Sequence, residues 1–185
     1  MEAHTSPLGG SWLRRLATIT PEEARCHKLS AGPHTGGSLF HGTNKKFDSF
    51  NISFAGARDW GDYGVGVYLS TTPGLAVSYA YEAVKNNGGG EPVVYMVQAN
   101  LSNIANYDEL MEGIRSVGVP ENKDPSIFRD DGMQSRPEGD SRGITEFMTS
   151  RGFDSAMVGR QVVVYDPSLL TVIRVLPAAE AEWWG

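Results

Sequence analysis

A histidine, two tyrosines and a glutamine follow one another along this chain in an order suited to binding a nucleotide cofactor. His41 and Gly42 close a short apolar run, Tyr68 lies in a strand-like run, and Tyr79 follows eleven residues later. Gln161 opens a run of three valines. A His-Gly pair alone is weak evidence. A histidine, a tyrosine and a polar residue opening a Val-rich strand, in this order, indicate a nucleotide-cofactor site.

Apolar runs predict the strands and helices that must position these side chains. Strands are expected, from β-branched and aromatic residues, at 38–41, 66–70, 92–100, 153–158, 162–165 and 170–175. Helices are expected, from apolar spacing and caps, at 73–81, 108–117 and 141–151. Residues 85–91 predict a turn and residues 118–140 a long flexible loop. Because strands dominate both ends of the domain, with helices between them, the predicted fold class is α+β.

The chain divides into an N-terminal extension, one domain and a short tail. A length of 185 residues favours a single domain, which we assign to residues 38–177. Residues 1–37 are rich in proline and glycine and have few periodic apolar positions, so we expect them to be partly disordered or docked. The tail, residues 178–185, contains Trp183-Trp184, which we expect to pack on the domain or on a partner.

Charge and hydropathy exclude several classes of partner. The net charge of −6 and the isoelectric point of about 5.2 oppose non-specific binding of nucleic acid, although Lys45-Lys46 form a small basic patch. No apolar run approaches the ~20 residues that span a bilayer, and the N-terminus lacks the apolar core of a secretory signal. We therefore expect no membrane contact and a location in the cytoplasm, either of the producing cell or of a host.

The cysteine and histidine content argues against disulfide and metal chemistry. Cys26, the single cysteine, cannot form an intramolecular disulfide and fits a reducing compartment. It lies in a polar stretch, which favours an incidental thiol over a nucleophile. The four histidines and this cysteine show no metal-ligand spacing, so no metal is expected.

Several short motifs in this order resemble the ADP-ribosyltransferase superfamily. The branch is that of diphtheria toxin and the poly(ADP-ribose) polymerases, whose motif is His–Tyr–Glu. The resemblance is strongest to small ADP-ribosyltransferase-like domains of phage and mobile-element polyvalent proteins. It covers residues 38–176, and the shared motifs are His-Gly-Thr, Phe-Asp-x-Phe, Gly-x-Gly-Val-Tyr, Arg-Gly-Phe-Asp and Tyr-Asp-Pro-Ser, at 41–43, 47–50, 64–68, 151–154 and 165–168.

The resemblance implies a split sheet that binds NAD, as a substrate, in a cleft between two small sheets. His41 would donate a hydrogen bond to a ribose hydroxyl, and the backbone of Gly42 would pair with the nicotinamide carboxamide. The rings of Tyr68 and Tyr79 would sandwich the cationic pyridinium. Thr43 belongs to the same implied cofactor-binding set.

A helix serine that contacts the carboxamide in polymerase-type members is replaced by Ala76. Ser70 or Ser78 would take its place, and we include Ser70 in the implied cofactor-binding set. This departure leaves the carboxamide contact open between the two serines.

Gln161 stands where this branch of the family places a catalytic glutamate. The implied catalytic set is therefore Gln161, His41 and Tyr68, with an amide that can hydrogen-bond a ribose hydroxyl but cannot act as a base. The resemblance then favours transfer of one ADP-ribose unit to an acceptor, with a protein acceptor preferred over nucleic acid. Two alternatives stay open: a catalytically weak or inactive module that binds NAD or ADP-ribose, and a phage-type structural or interaction domain.

Three further loop residues are candidates for contacts at the edge of this site. Arg58, Asp59 and Trp60 lie in a Gly-rich loop and could touch the adenosine end of the cofactor or the acceptor. Asp166-Pro167 is interpreted as a turn, and Glu146 as part of a solvated helix face.

Overall fold

A computed structural model describes residues 37–54, 61–118 and 138–181. The expectations for residues 1–36 and for Trp183-Trp184 fall outside these ranges. So do those for Arg58, Asp59 and Trp60 and for most of the 118–140 loop.

Seven strands of the described residues form one mixed sheet, which confirms the α+β fold class. The strands are β1 (Ser38–Thr43), β2 (Val67–Ser70), β3 (Val93–Ala99), β4 (Ile104–Ala105), β5 (Ser155–Val158), β6 (Gln161–Val164) and β7 (Leu170–Pro177). Their order in the sheet is β4-β5-β6-β2-β1-β3-β7. Neighbouring strands are antiparallel except β4 and β5, which are parallel.

Four helices in the described ranges flank the sheet, and their sequences explain where the first ones begin. The helices are α1 (Pro73–Asn86), α2 (Tyr107–Ser116), α3 (Glu138–Ser150) and α4 (Ala178–Ala181). Pro73 begins α1, where its missing N–H costs no helical hydrogen bond. Asn106 caps α2, since its side chain accepts from the amide of Glu109 while the Glu109 carboxylate accepts from the Asn106 amide.

Helix α1 is longer than the sequence pattern indicated. It continues to Asn86, so the first residues of the turn expected at 85–91 are helical. Gly88, Gly89 and Gly90 then adopt positive φ values of 70°, 127° and 107°, which only glycine tolerates readily, and these three residues reverse the chain toward β3. The buried carboxamide of Asn44 fastens this turn by donating to the carbonyl of Gly89 at 2.7 Å.

The two halves of the sheet carry separate helices on one face and share a core on the other. Helices α2 and α3 cover the β4-β5-β6-β2 half through a cluster that includes Leu110, Ile144 and Val163. Helices α1 and α4 cover the β1-β3-β7 half through a smaller cluster. On the opposite face, one cluster runs across both halves and includes Tyr95 and Val162.

The halves meet where β1 and β2 pair over a short distance. Phe40 lies opposite Ser70, whereas β1 pairs with β3 at six positions. Within these described strands the ladder does not continue to Gly42 opposite Tyr68. The resemblance implied two small sheets; the strands instead form one ladder that is narrow at this junction.

The outer strand on one side, β7, contains a register shift against β3. Met96 lies opposite Arg174 and Val97 opposite Val172, so the intervening Ile173 has no counterpart on β3. Ile173, the extra residue of this β-bulge, is 53% exposed. In the described part of the chain, no helix is long and apolar enough to cross a membrane.

Candidate functional site

The predicted site residues lie on both faces of the sheet, around the β1–β2 junction. Successive side chains of a strand point to opposite faces. Phe40 packs with α1, so His41 points to the other face, where it meets the aromatic rings of the shared core. Ser70 and Gln161 lie opposite each other in neighbouring strands and share the α1 face. The structure therefore brings Gln161 together with Tyr79 on the α1 face, whereas His41 lies on the opposite face and contacts only the backbone of Tyr68 among the predicted site residues.

His41 is held by an aromatic wall and by one backbone carbonyl. Its ring lies 6.0 Å from Phe47, 5.4 Å from Phe50 and 6.3 Å from Tyr95, measured between centroids. Phe47 stacks on Tyr95 at 4.2 Å, and the Tyr95 hydroxyl bonds both the amide and the carbonyl of Phe47. The Nδ1 atom of His41 lies 2.8 Å from the carbonyl oxygen of Tyr68. These contacts fix the imidazole beside the point where the pairing of β1 and β2 ends.

The hydrogen bond to Tyr68 determines what His41 offers a ligand. A carbonyl oxygen can only accept, so Nδ1 carries the proton. Burial lowers the pKa of His41, and the bond to Tyr68, which raises it, is the smaller effect, so the ring is neutral at pH 7. Nε2 is then an acceptor. In this tautomer a ligand hydroxyl would donate to Nε2, which is the reverse of the donor role that the resemblance implied.

The His41 side chain is partly buried, and its Nε2 atom is not sealed from solvent. No described residue gives it a hydrogen bond, and no buried side-chain nitrogen or oxygen of the described residues lacks a partner. An accessible acceptor that is held rigidly is suited to binding a hydroxyl group.

Tyr68 is anchored through its hydroxyl. That oxygen accepts from the Tyr63 amide at 2.9 Å and donates to the Gly64 carbonyl at 2.8 Å. Burial raises the pKa of Tyr68 well above its ordinary value, so the phenol stays neutral. The ring packs against the α2–α3 cluster, 6.3 Å from the ring of Tyr63. Tyr68 thus connects His41, through its carbonyl, to the segment that precedes β2.

Residues 61–66 are fastened to α3 by hydroxyl groups that the sequence interpretation missed. Ser141 donates to the Gly61 carbonyl at 2.9 Å, and Thr145 accepts from the Val65 amide at 2.7 Å. Both residues lie on one helix face, four positions apart. The sequence feature that could have indicated these contacts is the four-residue spacing of Ser141 and Thr145, on a helix that also carries the buried Ile144.

Tyr79 and Gln161 are brought together from α1 and β6. The Nε2 group of Gln161 donates to the Tyr79 hydroxyl, and the Tyr79 side chain is 37% exposed. The backbone beside Gln161 is also tied down, because the Arg160 carbonyl accepts from the Thr71 amide at 2.9 Å. The predicted glutamine and the second predicted tyrosine therefore form one hydrogen-bonded pair.

The remaining predicted cofactor-binding residues have structural partners. Ser70 is buried, and its hydroxyl donates to the Thr72 carbonyl at 2.8 Å while accepting from the Thr72 amide at 3.0 Å. Ser78 donates to the Gly74 carbonyl at 3.1 Å. Thr43 accepts weakly from the Lys45 amide at 3.4 Å. The hydroxyl group of each serine is hydrogen-bonded to nearby backbone. These bonds therefore do not orient either serine toward a carboxamide.

Gly42 is required by packing. A Cβ atom at this position would lie 2.7 Å from the carbonyl carbon of Ala76 and 2.8 Å from the amide nitrogen of Ala80. Helix α1 therefore rests directly on the backbone of β1. From the sequence, a glycine was expected here because it lets a ligand approach the backbone closely. The structure shows a second requirement for glycine, which is the packing of α1 against β1.

Two of the acidic motif residues serve local structure. The Asp154 carboxylate accepts from the amides of Ser102 and Asn103 at 2.6 and 2.9 Å. Asp166 accepts from the Ser168 amide at 2.9 Å, and its pKa is lowered by its hydrogen bonds to Ser168, as expected for a turn. Among the residues described, no group of three or more His, Cys, Asp or Glu side chains could hold a metal ion.

Comparison with known proteins gives a likeness in fold. No family model matches the chain, and no curated protein matches it. It is similar to a chain in the crystal structure of the M. tuberculosis MbcT–MbcA toxin–antitoxin complex, with a TM-score of 0.50 and 12% sequence identity. The match covers 79% of this chain and 87% of that one. At this identity the likeness concerns the arrangement of strands and helices.

Proposed function

We propose that this protein is a mono-ADP-ribosyltransferase that uses NAD as its substrate and has an ADP-ribosyltransferase-like fold. The observation that carries the proposal is the junction of β1 and β2, where a neutral His41 bonded to the Tyr68 carbonyl presents an open acceptor. The Tyr79–Gln161 pair lies beside the same junction, on the α1 face. In the proposal, the substrate spans this junction and meets His41 on one face and the Tyr79–Gln161 pair on the other.

Each residue has a role that its contacts support. His41 accepts a hydrogen bond from a ribose hydroxyl at Nε2, and this bond orients the substrate. Tyr68 and Tyr79 offer aromatic faces to the cationic nicotinamide ring, each contributing about 0.5–2 kcal/mol. Because their hydroxyls are already hydrogen-bonded, the rings are held without an entropy cost on binding.

The proposed reaction breaks the bond between nicotinamide and ribose. The electron pair of that bond leaves with nicotinamide, the acceptor nucleophile forms a bond to the same ribose carbon, and the acceptor proton passes to solvent. The amide oxygen of Gln161 faces the positive charge that grows on the sugar. Gln161 cannot deprotonate the acceptor, so the proposal requires a nucleophile that is reactive by itself and predicts no polymer.

Nicotinamide release and NAD binding test the proposal with two variants of one residue. His41→Ala removes the imidazole, while His41→Asn keeps a side-chain N–H for the Tyr68 carbonyl and removes the Nε2 acceptor. We expect calorimetry to show NAD binding to the unmodified protein and at least tenfold weaker binding to both variants, with unchanged circular dichroism. Unaltered binding in His41→Asn would refute the role of Nε2.

A second candidate function is a module that binds NAD or ADP-ribose without turnover. The neutral amide at position 161, already donating to Tyr79, favours it. In that case NAD binds but nicotinamide release stays at background with every acceptor. Gln161→Glu should then raise NAD hydrolysis, whereas Gln98→Glu, an exposed change on β3, should not.

We further propose a protein partner for this chain. The structural neighbour comes from a toxin–antitoxin complex, and the negative charge disfavours nucleic acid as the acceptor. Labelled NAD incubated with the protein and a lysate should mark a protein band. A label found only in nuclease-sensitive material would contradict this choice of acceptor class.

A further inference from the structure

The hydrogen bond between Gln161 and Tyr79 fixes which end of the glutamine amide is available. The turn that precedes β6 is held by Thr71, and Gln161 is in register with Ser70, so the backbone at position 161 is fixed. The Nε2 group is used by the Tyr79 hydroxyl. The nitrogen and oxygen of an amide lie on opposite sides of its carbon, so Oε1 points away from Tyr79.

The Oε1 atom of Gln161 is accessible. No described residue donates a hydrogen bond to Oε1. Every buried side-chain oxygen of the described residues has a hydrogen-bond partner, so Oε1, which has none, is not buried. The site therefore presents an oxygen, with no N–H beside it, on the open side of the amide.

We propose that Tyr79 is a positioning residue that locks the amide of Gln161 with its oxygen toward the substrate. This inference rests on the proposed function and goes beyond it, because it explains how a glutamine can serve at this position. A carboxylate needs no such lock, since both of its oxygens are acceptors. A freely rotating amide would present its NH2 group for part of the time, and the positive end of that dipole opposes an oxocarbenium-like sugar.

A double-mutant cycle separates positioning from a general structural role. Tyr79→Phe removes the hydroxyl and keeps the ring, and we expect the kcat for nicotinamide release to fall about fivefold, as for one lost hydrogen bond. In the Gln161→Glu background the same change should alter kcat by less than about twofold, because a carboxylate has no wrong orientation. Tyr81→Phe is the matched control on α1; its exposed hydroxyl has no described partner, so kcat should stay unchanged. Equal losses from Tyr79→Phe in both backgrounds would overturn the proposal.

A second readout needs no substrate. The side-chain amide signals of Gln161 can be assigned in a nitrogen–proton NMR spectrum by their loss in Gln161→Glu. We expect Tyr79→Phe to shift this pair of signals and Tyr81→Phe to leave it in place; unshifted signals in Tyr79→Phe would overturn the lock.

The two readouts also distinguish this inference from the proposed function. If the unmodified protein neither binds NAD nor releases nicotinamide, the proposed function fails, and the catalytic purpose of the lock fails with it even if the amide signals shift. Suppose instead that NAD is consumed, that Tyr79→Phe changes kcat equally in both backgrounds, and that the amide signals of Gln161 do not shift. In that case only the inference about Tyr79 fails.

Discussion

Replacing Gly42 by alanine should separate helix α1 from strand β1 and weaken the whole fold. The added methyl carbon would lie 2.7 Å from the carbonyl carbon of Ala76 and 2.8 Å from the amide nitrogen of Ala80. The carbonyl oxygen of Ala76 would lie closer still, and non-bonded atoms of this kind normally sit more than ~3 Å apart, so the helix has to move outward by more than about 1 Å. Both obstacles are backbone atoms, and no rotation of a side chain can relieve the contact.

The cost follows from what the helix buries. Ala76, Val77 and Ala80 are buried between α1 and the sheet, so an outward movement opens gaps along this interface. Overpacking of this kind costs about 1–3 kcal/mol in the free energy of unfolding. Tyr79 lies between Ala76 and Ala80 on the same helix, so the displacement should also stretch its bond to Gln161.

Urea unfolding followed by circular dichroism measures this effect. Gly74→Ala is the matched control, because it lies in the first turn of α1 and a Cβ there meets nothing within 4 Å. Gly74→Ala should leave stability unchanged or raise it by up to about 1 kcal/mol, through the lower entropy of the unfolded chain. A Gly42→Ala protein as stable as the unmodified one would refute the packing argument.

Three further predictions concern pH, the fastening of residues 61–66 and the Asp154 turn. The pKa of His41 is lowered in the folded protein, so the unfolded chain binds the proton more readily; stability is full above about pH 7 and declines as the pH falls below about 6.5 toward the lowered pKa, and NAD affinity declines only at that lower pKa. Unfolding midpoints measured across this range should show the decline, and it should be absent in His41→Asn. Thr145→Val keeps the shape of the side chain but leaves the Val65 amide without its threonine acceptor; we expect a loss of about 1–3 kcal/mol by urea unfolding, and a change within error would contradict this role. Asp154→Asn should lower the thermal midpoint, because an amide group replaces an acceptor shared by two backbone N–H groups; a midpoint at or above the original would argue against that turn as a structural element.

The sequence predicted most elements because their patterns are local. The Val-rich run after Gln161 became β6, and Pro73 began α1 as expected. Strand β4 was missed because it has two residues and exists only through its parallel pairing with β5. The length of α1 was underestimated because the asparagines at its end resemble a turn, while the positive-φ glycines that end it come later.

The candidate site was predicted as a set of residues rather than as an arrangement. Motif order singled out His41, Tyr79 and Gln161, but it could not show that the last two bond each other, which depends on how α1 packs across the sheet. The proton position on His41 depends on a carbonyl 27 residues away in sequence. Ser70 is a further example, since its hydrogen bonds to Thr72 in the turn before α1 are not indicated by the motif order. Distances between elements decide each of these points, and no local pattern encodes them.

The bulge in β7 has a consequence for how this protein meets other copies of itself. A long outer strand with exposed β-branched side chains is a template for edge-to-edge pairing and aggregation. Here the extra residue, Ile173, twists the strand out of register, and Pro177 has no N–H to offer at its end. Isoleucine and valine therefore lie at the outer edge of the sheet, but an incoming strand would not find a continuous row of hydrogen-bonding groups there.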